Sequence, residues 1–241
     1  AGQLGQGSTA YLGDQPGEMA ALAPVNLGAG RTAVAVSTGS MHVCAVLDNG
    51  TLKCWGANFA GQLGQDSTAT LGDEPGEMAA LPPVNLGAGH TATAVTAGYD
   101  HTCALLDDGA LKCWGDGGNG ALGQGSTANL GDEAGEMAAL APVDLGAGRT
   151  AAVVSARGFH NCARLDDGSV KCWGGPNDNG VLGQGSTANL GDEPGEMAAL
   201  APVDLGVPMQ VVLTVDEEFV QAGEPVHYHL TVINNSAAAL T

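Results

Sequence analysis

His101-Thr102-Cys103-Ala104-Leu105-Leu106-Asp107-Asp108-Gly109-Ala110-Leu111-Lys112-Cys113-Trp114-Gly115 is the stretch that decides the fold of this chain. Two short apolar runs flank Asp-Asp-Gly. That triplet suits a three-residue hairpin loop whose glycine takes the left-handed position closing a bulge. The stretch occurs twice more, as His42 to Gly56 around Asp48-Asn49-Gly50 and as His160 to Gly174 around Asp166-Asp167-Gly168. With the loop centred on Asn49, Leu47 faces Thr51, Val46 faces Leu52, and Cys44 faces Cys54 on one side of the ladder. Cysteines opposed in this way lie within bridging distance.

The six cysteines therefore read as three disulfides, Cys44 with Cys54, Cys103 with Cys113, and Cys162 with Cys172. The competing reading is a metal site. Zinc usually takes two closely spaced pairs, and these pairs are isolated. Each bridge closes an eleven-residue loop and should stabilise by about 3 kcal/mol in chain-entropy terms. Disulfides place the chain in an extracellular or cell-surface setting.

Working outward, the repeat is longer than the hairpin. Leu12-Gly13-Asp14-Gln15-Pro16-Gly17-Glu18-Met19 returns from Leu71, Leu130 and Leu190, at offsets of 59, 59 and 60. The extra residue falls in Gly175-Pro176-Asn177-Asp178-Asn179-Gly180, a turn-rich stretch where insertion is cheap. Two further extended segments precede each hairpin. Pro24-Val25-Asn26-Leu27-Gly28 is one, and Thr32-Ala33-Val34-Ala35-Val36, an apolar run read as a buried strand, is the other. Four short strands per unit is the content of a propeller blade. The acidic segment becomes a long loop with one helical turn at Glu77-Met78-Ala79-Ala80. Three complete hairpins do not close a ring, so the blades are expected to be open or completed by other chains.

Composition narrows the function. Only 4% of the 241 residues are aromatic and 39 are glycine, which implies thin, closely packed layers. Seven basic against 26 acidic residues give a formal net charge of -19. Such a field repels nucleic acid and anionic headgroups. No run approaches the roughly 20 apolar residues of a membrane span. Because Ala1 to Gln6 copies Ala60 to Gln65, we expect a mature or excised piece of a longer protein.

Several residues recur once per unit. His42, His101 and His160 each precede a cysteine by two. Threefold recurrence favours half-buried histidines bonding a neighbouring loop over a catalytic base, because catalysis needs one asymmetric site. Trp55, Trp114 and Trp173 are expected to pack between blades rather than to stack sugars. Lys53, Lys112 and Lys171 are expected on the outer face of a strand near the hairpin acids. No resident cofactor is expected, and calcium is the one candidate ion. Its candidate ligands are Asp73 and Glu77, Asp132 and Glu136, and Asp192 and Glu196, spaced four apart in Gly-rich loops offering backbone carbonyls. The alternative for these loops is a solvated acidic turn capped by Asp. No phosphate loop, nucleophile elbow or His-Glu zinc motif is present.

The hairpin from His101 to Gly115, followed by Gly120-Ala121-Leu122-Gly123, resembles the regulator-of-chromosome-condensation repeat over residues 1 to about 206. That resemblance implies β-propeller blades and a function of binding protein partners. The best-known member catalyses nucleotide exchange on a small GTPase, and a secreted relative inhibits β-lactamases. The cysteine pairs, the long acidic loop and the negative charge depart from the nuclear members. They are similar to a bacterial extracellular branch, so exchange activity is not carried over.

After Gly206-Val207-Pro208 the period breaks. Met209 to Val215 and Val226 to Ile233 read as strands and resemble the opening of an immunoglobulin-like surface module. His227 and His229 share a strand face, where ordinary alternation competes with a metal pair. The fold expected is all-β: three complete blades plus a partial one over 1–206, then a partial immunoglobulin-like β-sandwich over 207–241. The function expected is a non-enzymatic extracellular scaffold or adhesin, assembling into fibres by strand or blade exchange with copies of itself or neighbouring domains. The alternative is a soluble propeller that binds and inhibits a partner protein.

Overall fold

The computed structural model describes residues 2–206, 210–215 and 228–233. The chain falls into two units, Ala1–Val203 and Asp204–Thr241.

The first unit is built from three copies of one sheet. β1 (Ala33–Thr38), β2 (His42–Leu47) and β3 (Leu52–Gly56) form an antiparallel sheet in that order. β4 (Ala92–Ala97), β5 (His101–Leu106) and β6 (Leu111–Gly115) repeat it. So do β7 (Ala151–Arg157), β8 (His160–Leu165) and β9 (Val170–Gly174). The hairpin register follows the loop chemistry. Gly50 adopts φ 78°, its N–H donates to the Leu47 carbonyl, and the Leu47 N–H donates to the Thr51 carbonyl. Cys44 then stands opposite Cys54 and Val46 opposite Leu52. Disulfides join Cys44 to Cys54, Cys103 to Cys113 and Cys162 to Cys172.

Alternation gives each sheet two different apolar faces. Cys44, Val46, Leu52 and Cys54 point one way, into a cluster with Ala104, Leu106 and Trp114 of the next sheet. Cys103, Leu105, Leu111 and Cys113 meet Ala163, Leu165 and Trp173 in the same manner. The first two disulfides thus belong to the seams that bury the following blade's tryptophan. The other face of the first sheet, with Ala45, Leu47 and Trp55, is covered by Met78, Leu81, Val25 and Leu27.

Two expectations need correction. The fourth strand shrinks to one hydrogen bond. Val84, Val143 and Val203 donate their N–H to the carbonyls of Leu52, Leu111 and Val170, at 2.8, 2.7 and 2.7 Å. The proline preceding each valine has no N–H, so no ladder can grow there. The run at Thr32–Val36 is not buried either. Val34 and Val36 are 66% and 59% exposed, because no sheet stacks on that side of β1 among the described residues. The four-residue helices Glu18–Ala21, Glu77–Ala80, Glu136–Ala139 and Glu196–Ala199 occupy the expected loop positions.

In the second unit β10 (Gln210–Val215) pairs antiparallel with β11 (Tyr228–Ile233). His227 and the remainder of the proposed second metal pair's surroundings lie outside the described residues.

Candidate functional site

Each seam is pinned by one polar station. The Trp114 indole N–H donates to the Gln62 carbonyl at 3.1 Å, and the Thr102 hydroxyl donates to the same oxygen at 2.8 Å. With its proton committed, that hydroxyl accepts from His42 Nε2–H at 2.9 Å. The next seam repeats the arrangement with an amide. Asn161 Nδ2 donates to the Ala121 carbonyl at 2.7 Å, and its Oδ1 accepts from His101 Nε2–H at 3.0 Å. Trp173 donates to the Ala121 carbonyl as well.

His42 and His101 are buried more deeply than expected, and they bond the next blade's strand rather than a loop. Their Nδ1 atoms have no hydrogen-bond partner. Burial, reinforced by the neighbouring His101 charge, pushes His42 down to about 4. Burial also lowers His101, although its bond to Asn161 opposes the shift. An imidazole held neutral between two sheets is a structural joint, not a base exposed to substrate. His160 is half-buried, and no further blade follows it among the described residues.

Gly39 and Gly98 are required where these joints close. A Cβ on Gly98 would stand 2.1 Å from the His101 ring, and one on Gly39 would stand 2.5 Å from the Gly98 carbonyl.

Lys53, Lys112 and Lys171 do not stand on an outer face. They are only 8%, 7% and 6% exposed. Each lies two residues before a tryptophan on the same strand, so alternation sends it into the same seam. Burial lowers Lys53 and Lys112, while Asp108 pulls Lys112 back up.

Of the calcium candidates, the three glutamates are used by the backbone. Glu77 Oε2 accepts from the N–H groups of Gly72, Asp73 and Glu74 at 2.8, 3.1 and 2.9 Å. Glu136 and Glu196 do the same in their loops. Burial raises Asp132 and Asp192, and the adjacent Glu136 and Glu196 push the same way. Asp66, which the sequence did not single out, caps the next repeat's turn. Its carboxylate accepts from the Gly135 and Met137 N–H groups at 3.0 and 2.8 Å.

The β1–β2, β4–β5 and β7–β8 turns emerge together at one end of the sheets. Ser40 donates to the Tyr99 carbonyl and Tyr99 to the Gly158 carbonyl, which ties the three turns into a row. The Ala57, Asp116 and Gly175 N–H groups join the loops after β3, β6 and β9 to the same row. Tyr99 meets Phe159 edge to face at 5.2 Å. Phe59, Tyr99 and Met41 are exposed there. Asp100 lies among them, its carboxyl raised by burial and by the Asp116 charge.

Stacked three-stranded blades with tryptophan-and-histidine joints define an all-β repeat protein of the propeller class. Residues 33–62, 92–121 and 154–181 match the Regulator of chromosome condensation (RCC1) repeat, as does 49–105. The repeats are of the RCC1 type. The chain is 31% identical over 160 residues to the Ultraviolet-B receptor UVR8 of Arabidopsis thaliana, covering 65% of this chain and 32% of that protein. It is 31% identical over 158 residues to Protein pim1 of Schizosaccharomyces pombe, covering 63% and 29%. The chain therefore spans about a third of the length of these relatives. Yeast RCC1 (Prp20), solved bound to Kap60, superposes with a TM-score of 0.59 at 17% identity, over 84% of this chain and 43% of that one. Human WBSCR16 gives 0.50 at 22% identity, over 66% and 38%.

Proposed function

We propose that the repeats form a non-catalytic protein-binding surface, and that the partner docks on the end carrying Met41, Phe59, Tyr99 and Phe159. One observation carries this reading. Gly39-Ser40-Met41, Gly98-Tyr99-Asp100 and Arg157-Gly158-Phe159 share no residue at any position across all three copies. The loops Ala57-Asn58-Phe59, Asp116-Gly117-Gly118 and Gly175-Pro176-Asn177 share none either. The hairpins at the opposite end keep Asp-Asx-Gly throughout. Repeats that are otherwise near copies have diversified at this end, in buried positions such as Asn58 and Asn177 as well as in exposed ones such as Met41, Phe59 and Tyr99, and loops on a rigid scaffold are where recognition is carried.

Exposed aromatics beside Asp100 and Asp116, on a chain of net charge -19, suit a partner presenting apolar and basic side chains. That yeast RCC1 was solved with a protein bound supports a protein partner here. The three disulfides support an extracellular or cell-surface setting. Among the described residues no helix is long and apolar enough to cross a membrane.

The test is capture. The immobilised chain is expected to retain a secreted or surface protein that the triple variant Phe59→Ala/Tyr99→Ala/Phe159→Ala, equally folded, releases. Equal capture by both would move the binding surface elsewhere.

A second reading, a scaffold that assembles through its ends, is favoured by the first repeat. Gly56, Gly115 and Gly174 bridge to Leu71, Leu130 and Leu190. Leu12 lines a groove of about 300 Å³ with Gln3, Leu4, Tyr11 and Met41. Val34 and Val36 are exposed on the same side of the stack. In this reading the β10–β11 pair opens an immunoglobulin-like module that links successive units. Electron microscopy separates the two readings: fibres support assembly, and isolated particles support the soluble binder.

A further inference from the structure

The hairpin end carries one cation slot per repeat, and the middle repeat fills it differently. In the first repeat Arg31 Nη1 lies 3.5 Å from Asp48 Oδ2. In the third, Arg149 Nη1 lies 3.4 Å from Asp166 Oδ2 and 2.8 Å from Asp167 Oδ2. In the second the arginine is replaced by His90, whose Nδ1 lies 3.3 Å from Asp107 Oδ1 and 3.7 Å from Asp108 Oδ2. A guanidinium is a permanent cation and fills such a slot itself. An imidazole offers a lone pair instead.

We infer that His90, Asp107 and Asp108 form a binding site for a divalent transition-metal ion, of which zinc is the representative. The three donor atoms lie within 4.8 Å of one another, the only such trio found among the described residues. Zinc bonds of about 2.0–2.1 Å at tetrahedral angles put neighbouring ligand atoms about 3.3–3.4 Å apart. The two histidine-to-carboxylate edges of 3.3 and 3.7 Å need only a few tenths of an ångström of closure, and the carboxylate oxygens lie within 4.8 Å of each other.

Both carboxylates are already held. Asp107 Oδ1 accepts from the Thr91 N–H at 3.4 Å, and Asp108 Oδ1 accepts from the Ala110 N–H at 2.9 Å, which leaves Asp108 Oδ2 free to ligate. Binding moves the imidazole proton from Nδ1 to the outward Nε2 and leaves the fourth position to water. The sister repeats show that this corner of the fold accepts positive charge, against the single acid Asp48 in the first and between Asp166 and Asp167 in the third. A divalent ion restores what the histidine removed. The nearby Lys112 ammonium, within electrostatic range of Asp108, competes with the ion and moderates its affinity.

Zinc titration of the full chain by calorimetry tests the site, with His90→Arg as the decisive variant because it recreates the pairing of the first and third repeats and should fold. The wild type is expected to bind one zinc ion here, with His90 ring resonances shifting in nuclear magnetic resonance spectra. His90→Arg and Asp108→Asn are each expected to weaken that binding at least tenfold, while His227→Ala/His229→Ala leaves it unchanged. Absence of zinc binding at millimolar ion overturns the inference. So does binding that survives His90→Arg, or binding lost only in the His227→Ala/His229→Ala variant.

Discussion

Replacing Asn161 by leucine should break the seam between the second and third blades. The side chain is fully buried and makes two hydrogen bonds, donating to the Ala121 carbonyl and accepting from His101 Nε2–H. Leucine fills nearly the same volume and restores neither bond. The Ala121 oxygen keeps its bond from Trp173, so the main loss is at His101, whose Nδ1 is already unpartnered. An orphaned buried donor costs about 1–3 kcal/mol, and the bond lost at Ala121 adds about 1. The total is about 2–4 kcal/mol. In a unit of this size each kcal/mol moves the midpoint by about 2–4 °C, so melting should fall by about 4–16 °C.

Asn161→Thr serves as the control, because Thr102 performs the same task one blade earlier, and it should cost under about 1 kcal/mol. The double variant His101→Leu/Asn161→Leu should recover part of the loss by removing the orphan. Calorimetry and urea unfolding read all three. If Asn161→Leu melts with the wild type, or if threonine is as damaging as leucine, the joint does not hold the blades together.

Acid should loosen the same joints. The imidazole of His42 protonates near 6.5 when unfolded and near 4 when folded, so the unfolded chain binds more protons between those values. Stability should therefore fall as pH drops from about 6.5 to 4, by about 3 kcal/mol for His42, with His101 acting in the same direction. Asp132 and Asp192, whose carboxyls are raised, oppose part of that loss at the acid end, and denaturant melts across this range give the sign. Glu136→Gln should cost about 1–3 kcal/mol by weakening three charge-assisted bonds from backbone amides, which is readable as faster amide exchange at Gly131, Asp132 and Glu133. On mild reduction, mass spectrometry should find Cys162–Cys172 opened first. Cys162 is half-buried at the end of the stack, whereas Cys44, Cys54, Cys103 and Cys113 are sealed inside the seams.

The hairpins were legible because every signal in them is local. Asp-Asx-Gly dictates the turn, the turn dictates the register, and the register brings Cys44 to Cys54. The helical turn at Glu77 was legible for the same reason. The polar joint was not. Val43, Thr102 and Asn161 occupy one strand position, and nothing local says that the second and third meet a histidine sixty residues away. The variation at that position among otherwise similar strands was the available signal. The lysines were misplaced because a strand stacked on both sides has no outer face.

Sequence alone thus determined the period, the hairpins, the bridges and the family of repeat, which rest on self-similarity and on contacts within one hairpin. Only the tertiary structure decided which faces are covered, which histidine meets which partner, and which acids are spent on the backbone. It also decided that the diversified loops gather at one end while the cation slots gather at the other. Burial and long-range hydrogen bonding are properties of the stack, and a single repeat does not contain the neighbour that creates them.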